Sequence, residues 1–215
     1  MSLFDVLAES EGSTALSSRI SGVVVGLVTN NEDPDGLGRV KVKFPWLSDA
    51  EESFWARVAS PMAGKERGFY FLPEVDDEVL VAFEQGDVRF PYVLGALWNG
   101  KDKPPETNGD GKNNARSIKS RSGHVIRLND EDGKEKIEII DKSGNNRIEF
   151  DTAKNSITIT SDKDIILSAS KGAIKLDAQQ IEIKSSADAK VEAGAGMDVK
   201  ATGAMNIKGA TVNIN

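Results

Sequence analysis

The chain of 215 residues has no cysteine, one histidine (His124) and few aromatic residues, which make up 6% of the composition. Without cysteine it has no disulfide framework, no thiolate nucleophile and no zinc–thiolate site. No basic residue precedes Arg19, and no apolar run is long enough for a signal peptide or a membrane span. The net charge of −7 disfavours nucleic acid and anionic membrane surfaces as partners. These absences predict assembly in the cytoplasm without a cleaved signal.

Residues 148–207 carry a pair of apolar side chains about every eight residues. The members of a pair are two residues apart, so both lie on one face of a strand. The pairs are Ile148/Phe150, Ile157/Ile159, Ile165/Leu167, Ile174/Leu176, Ile181/Ile183, Ala189/Val191, Met197/Val199 and Met205/Ile207. Polar and small residues separate them. A period this regular indicates a solenoid or an array rather than an ordinary globular core.

One chain alone buries these pairs poorly, because eight residues form only one strand and a bend. Three chains wound about one axis give each strand neighbours about 4.8 Å away in other copies. We therefore predict an all-β homotrimer in which residues 118–215 form an intertwined, triple-stranded β-helix. An antiparallel meander within a monomer is the alternative. The predicted trimer axis comprises Ile157, Ile159, Ile165, Leu167, Ile174, Leu176, Ile181, Ile183, Val191, Met197, Val199, Met205 and Ile207.

Residues 19–100 have a different pattern, in which apolar runs alternate with clusters of turn-forming residues. Asp, Asn, Gly and Pro form these clusters because they close or preset tight turns. The predicted strands are Gly22–Val28, Arg39–Phe44, Phe54–Ala59, Val79–Phe83 and Tyr92–Leu97. Five short strands at this spacing predict an N-terminal OB-type barrel. Nearly all aromatic residues of the repeat and barrel regions fall between Phe44 and Trp98, and we expect their bulk to fill the core of the barrel.

Several motifs in this region, in order, resemble the OB domain of the central spike family of contractile injection systems. That family includes phage baseplate assembly protein V and the VgrG proteins of type VI secretion. The motifs occupy residues 38–46, 55–58, 72–83 and 91–100, and the pattern at 122–124 and 137–139 resembles the family's entry into its β-helix. Asp77 departs from the family, which usually has Gly in the turn before the strand. A shifted turn would accommodate this departure.

The resemblance implies a non-enzymatic structural spike at the tip of an injection tube, which punctures target envelopes and links hub to tip. The implied domains are an N-terminal tail (1–18), the OB domain (19–100), a linker (101–117) too short for an enzyme, and the β-helix (118–215). A separate hub protein is expected at the OB end, because only eighteen residues precede the barrel. No cofactor or metal is expected. Effector cargo and transient contact with a target membrane are further expectations, within a virion-like or secreted particle.

The resemblance also implies a PAAR-type tip protein at the C-terminal end. A prism that ends there leaves unpaired strand edges, which are normally covered. The predicted tip-binding residues are Ile207, Val212, Asn213, Ile214 and Asn215. A blunt, self-sufficient tip is one alternative. A trimeric fibre or adhesin with a β-helical stalk is another, and it should tolerate removal of residues 207–215.

Five other features are better explained as structure than as sites. Asp33-Pro34-Asp35-Gly36 lacks the remaining ligands of a calcium loop and predicts a turn. Asp76-Asp77-Glu78 has no nucleophile nearby and predicts a solvated turn. His124 is expected to be a hydrogen-bonded structural residue. Asp130–Gly133 predicts a hairpin loop with Gly133 at positive φ, and the glycines of the repeat are expected at sharp corners. Acidic residues balance the basic ones of the barrel, which disfavours a nucleic-acid groove.

Overall fold

The computed structural model describes residues 19–47 and 52–214, and their regular structure is almost entirely β. The chain divides into two compact units, one through Asp162 and the other from Lys163 onward. Within the described residues, no helix is long and apolar enough to cross a membrane. The strands are β1 Val23–Asn30, β2 Lys41–Lys43, β3 Arg57–Val58, β4 Ala63–Gly64, β5 Arg67–Gly68, β6 Glu78–Phe83, β7 Pro91–Ala96, β8 Ala115–Lys119, β9 Val125–Asn129, β10 Lys136–Ile140, β11 Arg147–Asp151 and β12 Ser156–Thr160.

The N-terminal part of the first unit is a curled, five-stranded sheet in the order β2-β1-β6-β7-β3. All pairs are antiparallel except β3 and β7, which run parallel. Each of the five strands predicted from the sequence contains or overlaps one of these strands, so the predicted strands are confirmed. Successive side chains of a strand point to opposite faces of the sheet, and this alternation determines which of them are buried. Along β6, Val79, Val81 and Phe83 are buried, while the residues between them are half-buried. A separate small hairpin pairs β4 with β5.

The core of this sheet is built from valine, and the expectation of an aromatic core is wrong. The buried hydrophobic residues are Val28, Val40, Val42, Phe44, Ala56, Val79, Val81, Phe83, Val88 and Val93. Of the aromatic residues that the structure describes, only Phe44 and Phe83 are buried, and their rings lie 5.6 Å apart. Trp46, Phe54, Phe69, Tyr70, Phe71, Phe90 and Trp98 are exposed. The interior of a small curled sheet is narrow, and β-branched side chains fill it while large rings stay at its surface.

The second part of the first unit is an antiparallel meander of five strands in the order β12-β11-β10-β9-β8. The hairpin predicted around residues 130–133 joins β9 to β10, and Gly133 has φ of 72°, as expected. Strand β8 begins two residues before the end of the predicted linker. The region predicted to be a β-helix from residue 118 therefore begins with strands that pair within one chain. For residues 115–160 the meander, which the sequence left as an alternative, describes the pairing in this chain.

The second unit, residues 163–214, contains no strand among its described residues, and every described residue in it is exposed. This chain form leaves the apolar pairs of the repeat uncovered. Bends recur in this unit at residues 186–187, 194–195, 202–203 and 210–211, so Gly194 and Gly203 lie at bends, although neither has positive φ.

Candidate self-assembly interface

One face of the meander is an apolar stripe, two side chains wide, that crosses all five strands. The cross-strand register brings the members together: Ile118 lies opposite Ile126, and Leu128 lies opposite Ile137. The stripe comprises Ile118, Ile126, Leu128, Ile137, Ile139, Ile148, Phe150, Ile157 and Ile159. Since neighbouring strands are about 4.8 Å apart, it runs roughly 19 Å along the hydrogen-bonding direction.

The stripe is uncovered in the single chain. Ile126 is 44% exposed, Ile139 is 46% exposed and Ile157 is 66% exposed. Contiguous exposed apolar surface of this kind marks an interaction site. Isolated apolar residues on a surface need no explanation, but seven isoleucines, Leu128 and Phe150 in register on one sheet face do.

The opposite face of the meander carries charges that are already paired. Lys136 Nζ lies 3.0 Å from Glu149 Oε1 and 3.6 Å from Asp151 Oδ2. The hydrogen bond to Glu149 raises the pKa of Lys136. Arg127 lies between Glu106, at 3.1 Å, and Glu138, at 3.7 Å. Because cross-strand pairs satisfy its charges, this face is suited to water and the apolar face to a partner.

Ordered turns hold the strands of the meander in register. The Asp141 carboxylate accepts hydrogen bonds from the Ser143 hydroxyl and from the side-chain and backbone nitrogens of Asn146. These bonds favour the charged carboxylate and lower the pKa of Asp141 to about 2. His124 Nδ1 accepts a hydrogen bond from the Lys142 backbone N–H at 3.2 Å, which confirms its predicted structural role.

The residues predicted for the trimer axis divide between the two units. Ile157 and Ile159 lie in β12, where they complete the stripe. The remaining eleven lie in the second unit, where they are exposed and have no strand around them. Of the predicted tip-binding residues, Ile207, Val212, Asn213 and Ile214 are exposed there as well, and Asn215 lies outside the described residues. Axis and tip roles stay predictions.

The predicted list of axis residues omitted seven members of the stripe: Ile118, Ile126, Leu128, Ile137, Ile139, Ile148 and Phe150. The spacing contained the information, because Ile126/Leu128 and Ile137/Ile139 are apolar pairs two residues apart. Their separation of eleven residues, instead of eight, concealed the relation to the repeat. The extra residues form the longer loops that reverse the chain in an antiparallel sheet.

The acidic clusters of the first unit are turns, as predicted. Arg39 donates hydrogen bonds to the Asp33 carboxylate from Nε, at 2.9 Å, and from Nη2, at 2.7 Å. Its Nη2 also donates to Asp35 Oδ2 at 2.5 Å. Those carboxylates are therefore engaged by a cation of the chain itself. Across residues 19–47 and 52–214, no group of three or more His, Cys, Asp or Glu side chains is placed to hold a metal ion.

Residues 24–98 match the family described as the type VI secretion system/phage-baseplate injector OB domain. Spike protein VgrG1a of Pseudomonas aeruginosa is 30% identical over 145 residues, which is 62% of this chain and 23% of the relative. Spike protein VgrG5 of the same species is 39% identical over 89 residues, or 40% of this chain and 11% of the relative. The actin cross-linking toxin VgrG1 of Vibrio cholerae is 32% identical over 97 residues, or 41% and 9%. The chain thus spans less than a quarter of the length of these curated relatives.

Proposed function

Because residues 24–98 match the type VI secretion system/phage-baseplate injector OB domain, we propose that this chain belongs to the spike proteins of such systems and is the trimeric needle of the spike. In this proposal the OB domain is the base. The meander and the repeat that follows it form a shaft shared by three copies. The function is mechanical rather than catalytic, and the shaft punctures the target envelope when the tube is driven forward.

The observation that carries the proposal is the apolar stripe with its charged reverse face. Strands β9 to β12 each contribute two apolar residues and β8 contributes Ile118, which makes a wall that is narrow across and long along the hydrogen-bonding direction. Three such walls enclose a dry, filled axis, and their charged faces point outward into water. The stripe then continues at eight-residue spacing, from Ile157/Ile159 to Ile165/Leu167 and onward through the second unit.

A shared shaft suits a puncturing role for a physical reason. When strands of different copies are hydrogen-bonded along the shaft, no strand can open without breaking bonds on both of its edges. The outer charges also oppose lateral pairing with other sheets. Load along the axis is then borne by many backbone hydrogen bonds and by a continuous apolar core.

The partners follow from the position of each part in the proposed spike. The OB end binds a separate hub protein, and residues 207–215 of the three copies seat a PAAR-type tip protein. Removal of residues 207–215 should abolish tip binding and leave the trimer intact, whereas an adhesin would keep its binding. The spike is assembled in the cytoplasm and leaves as part of the particle, with or without effector cargo. The OB domain binds no nucleic acid in this proposal, because basic residues such as Arg39 and Lys41 are engaged by the neighbouring carboxylates of Asp33 and Glu52.

The mass of the protein in solution tests the proposal. We expect light scattering to give three times 23.1 kDa for the full chain and a weaker or lost trimer after truncation at Asp162. Ile157→Asp and Thr158→Asp make a matched pair, since these neighbours lie on opposite faces of β12. The charge at residue 157 enters the apolar axis and should break the trimer, while the charge at residue 158 faces water and should not. A full chain that stays monomeric contradicts the proposal.

A further inference from the structure

Four consecutive repeats of the second unit carry charges at the same two positions. One charge lies between the two apolar residues of a pair and the other directly follows the pair, so both charges lie on the face opposite the apolar residues. We call each such stretch of four residues a rung. The four rungs are Ile174-Lys175-Leu176-Asp177, Ile181-Glu182-Ile183-Lys184, Ala189-Lys190-Val191-Glu192 and Met197-Asp198-Val199-Lys200.

The signs of these charges alternate both along a rung and from rung to rung. The first charged position runs Lys175, Glu182, Lys190, Asp198, and the second runs Asp177, Lys184, Glu192, Lys200. Each charge therefore differs in sign from its partner in the same rung and from the charge at the same position of the next rung. The alternation ends after Lys200, because residue 206 is Asn and Lys208 is again positive.

In three of the rungs the structure pairs the two charges with each other. Lys184 Nζ lies 2.6 Å from Glu182 Oε1, and the Lys190–Glu192 and Lys200–Asp198 pairs measure 2.6 Å and 3.7 Å. Side chains two residues apart approach in this way because they lie on the same side of an extended backbone. Such exposed pairs contribute little stability. They also form equally well with either order of signs, so they do not account for the alternation from rung to rung.

The apolar side of the rungs does not specify which rungs lie side by side. Each rung has one pair of aliphatic or methionine side chains, except that Ala189 replaces one of them, and a shift by a whole rung keeps every pair on the same face. In a shaft wound from three copies, each chain advances by one rung as it passes from one wall to the next. A rung therefore lies beside the preceding or following rung of another copy, about 4.8 Å away.

We propose that the alternating charges of these four rungs select the register in which the copies join. The proposal rests on the shared shaft described above and identifies the residues that choose among its possible registers. When consecutive rungs of different copies are neighbours, every charge meets an opposite one: Glu182 lies between Lys175 and Lys190. A chain that slips by one rung brings like charges together, which is unfavourable on neighbouring strands. The apolar pairs thus define the inner face, and the charges define the partner rung.

Exchange of the two charges within a rung tests this proposal, because it keeps the composition and the pair inside the rung. Glu182→Lys/Lys184→Glu places like charges beside both neighbouring rungs. We expect it to lower the urea concentration at which the trimer dissociates. The difference from the natural chain should shrink in concentrated salt, since the screening length falls to roughly 3 Å at about 1 M.

The matched control exchanges the charges of all four rungs and so restores the alternation with more substitutions. It combines the first exchange with Lys175→Asp/Asp177→Lys, Lys190→Glu/Glu192→Lys and Asp198→Lys/Lys200→Asp. We expect this chain to dissociate at the same urea concentration as the natural chain. A fourfold exchange that is as unstable as the single exchange, or a single exchange without effect, overturns the inference and leaves the proposed function standing.

Mixing the natural chain with the fourfold-exchanged chain tests selection directly. The two are unfolded together in urea, refolded and separated by a tag on one of them. Every contact between different chains then joins like charges, so we expect pure trimers of each kind at low salt and random mixing in concentrated salt. Random mixing at low salt overturns the inference alone. A natural chain that stays monomeric overturns the inference and the proposed function together.

Discussion

A single residue, Asp76, adapts the turn before β6 to a sequence that has no glycine there. Asp76 has φ of 75°, in the left-handed region. The turn is closed by the Asp77 N–H donating to the Glu74 carbonyl, and the Glu74 N–H donates to Asp77 Oδ2. The Asp76 N–H and the Asp77 carbonyl then pair with Val28 of β1. Asp77 stands where the similar family usually has glycine. In this chain the left-handed conformation of the turn is adopted one residue earlier, by Asp76, a residue type that tolerates positive φ.

Substitution by glycine should change the free energy of unfolding in opposite directions at Asp76 and Asp77. Asp76→Gly relieves the left-handed strain and should raise the free energy of unfolding by up to about 1 kcal/mol. Asp77→Gly removes the hydrogen bond from the Glu74 N–H and increases the conformational freedom of the unfolded backbone. Both effects should lower the free energy of unfolding, by about 1–2 kcal/mol together. Urea denaturation measures both. Equal signs for the two variants would contradict this account of the turn.

Asp33 organises the loop between β1 and β2. Its side chain is only 3% exposed and is held by the Arg39 guanidinium. It also accepts hydrogen bonds from the backbone N–H groups of Asp35, Leu37 and Arg39. The bonds from Arg39 are the main cause that places the pKa of Asp33 far below its ordinary value.

This lowered pKa predicts how stability changes with pH. The folded structure stabilises the charged form of the Asp33 carboxyl, and the unfolded chain does not. The stabilisation is therefore complete above the ordinary carboxyl pKa of about 4, and it is lost as the pH falls below that value. Asp33→Asn should lower the denaturation midpoint near neutral pH, and its difference from the natural chain should shrink on acidification below about pH 4. Asp35→Asn, at an exposed position, is the control and should change the profile little. An unchanged difference at acid pH contradicts the role of the Asp33 charge.

At the scale of elements, the short loops of the meander depend on residues with positive φ. Gly144 lies between β10 and β11 with φ of 76° and open space around it. A methyl group added there meets no neighbour, so any cost is conformational. The loop is one of four that fix the register of the apolar stripe.

We expect Gly144→Ala to destabilise the meander by about 1–2 kcal/mol, the cost of a left-handed backbone for an ordinary residue. Gly95→Ala in β7 is the matched control, because Gly95 also has open space but no positive φ. There the restricted unfolded chain should give a gain of about 0.4–1 kcal/mol. Urea denaturation of both variants checks the two signs, and a neutral Gly144→Ala would show that this loop does not require the left-handed conformation.

At the scale of the whole molecule, the oxidation rates of three methionines can test which surfaces the proposed trimer buries. In the single chain Met62, Met197 and Met205 are exposed to similar degrees, at 43%, 52% and 46%. The proposed axis buries Met197 and Met205, whereas Met62 lies on the OB part. Under mild peroxide, Met62 should form sulfoxide several times faster than the other two, because oxidation follows exposure. Peptide mass spectrometry measures each site. Equal rates at all three methionines contradict a shared axis.

The sequence by itself determined the β class and the five strands of the N-terminal sheet, because alternation and turn residues act locally. It also carried the resemblance of residues 24–98 to the injector OB domain. It also located the hairpin at Gly133, the turn at Asp33 and the structural role of His124. It did not determine which apolar residues fill a core. Phe69, Tyr70 and Trp98 are large aromatic residues of the kind expected in a core, but they are exposed. Burial depends also on the width of the space inside the sheet.

Only the tertiary structure decided that residues 115–160 pair within one chain before the regular repeat begins. Pairs such as Ile137/Ile139 look alike in sequence whether their neighbours belong to the same copy or to another. The difference lies in the backbone between them: left-handed residues from Gly123 to Asn155 reverse the chain, and none of the described residues from 156 to 214 has positive φ. A two-residue apolar pattern defines the dry face of a strand, whereas the path of the connecting chain decides which strand lies beside it.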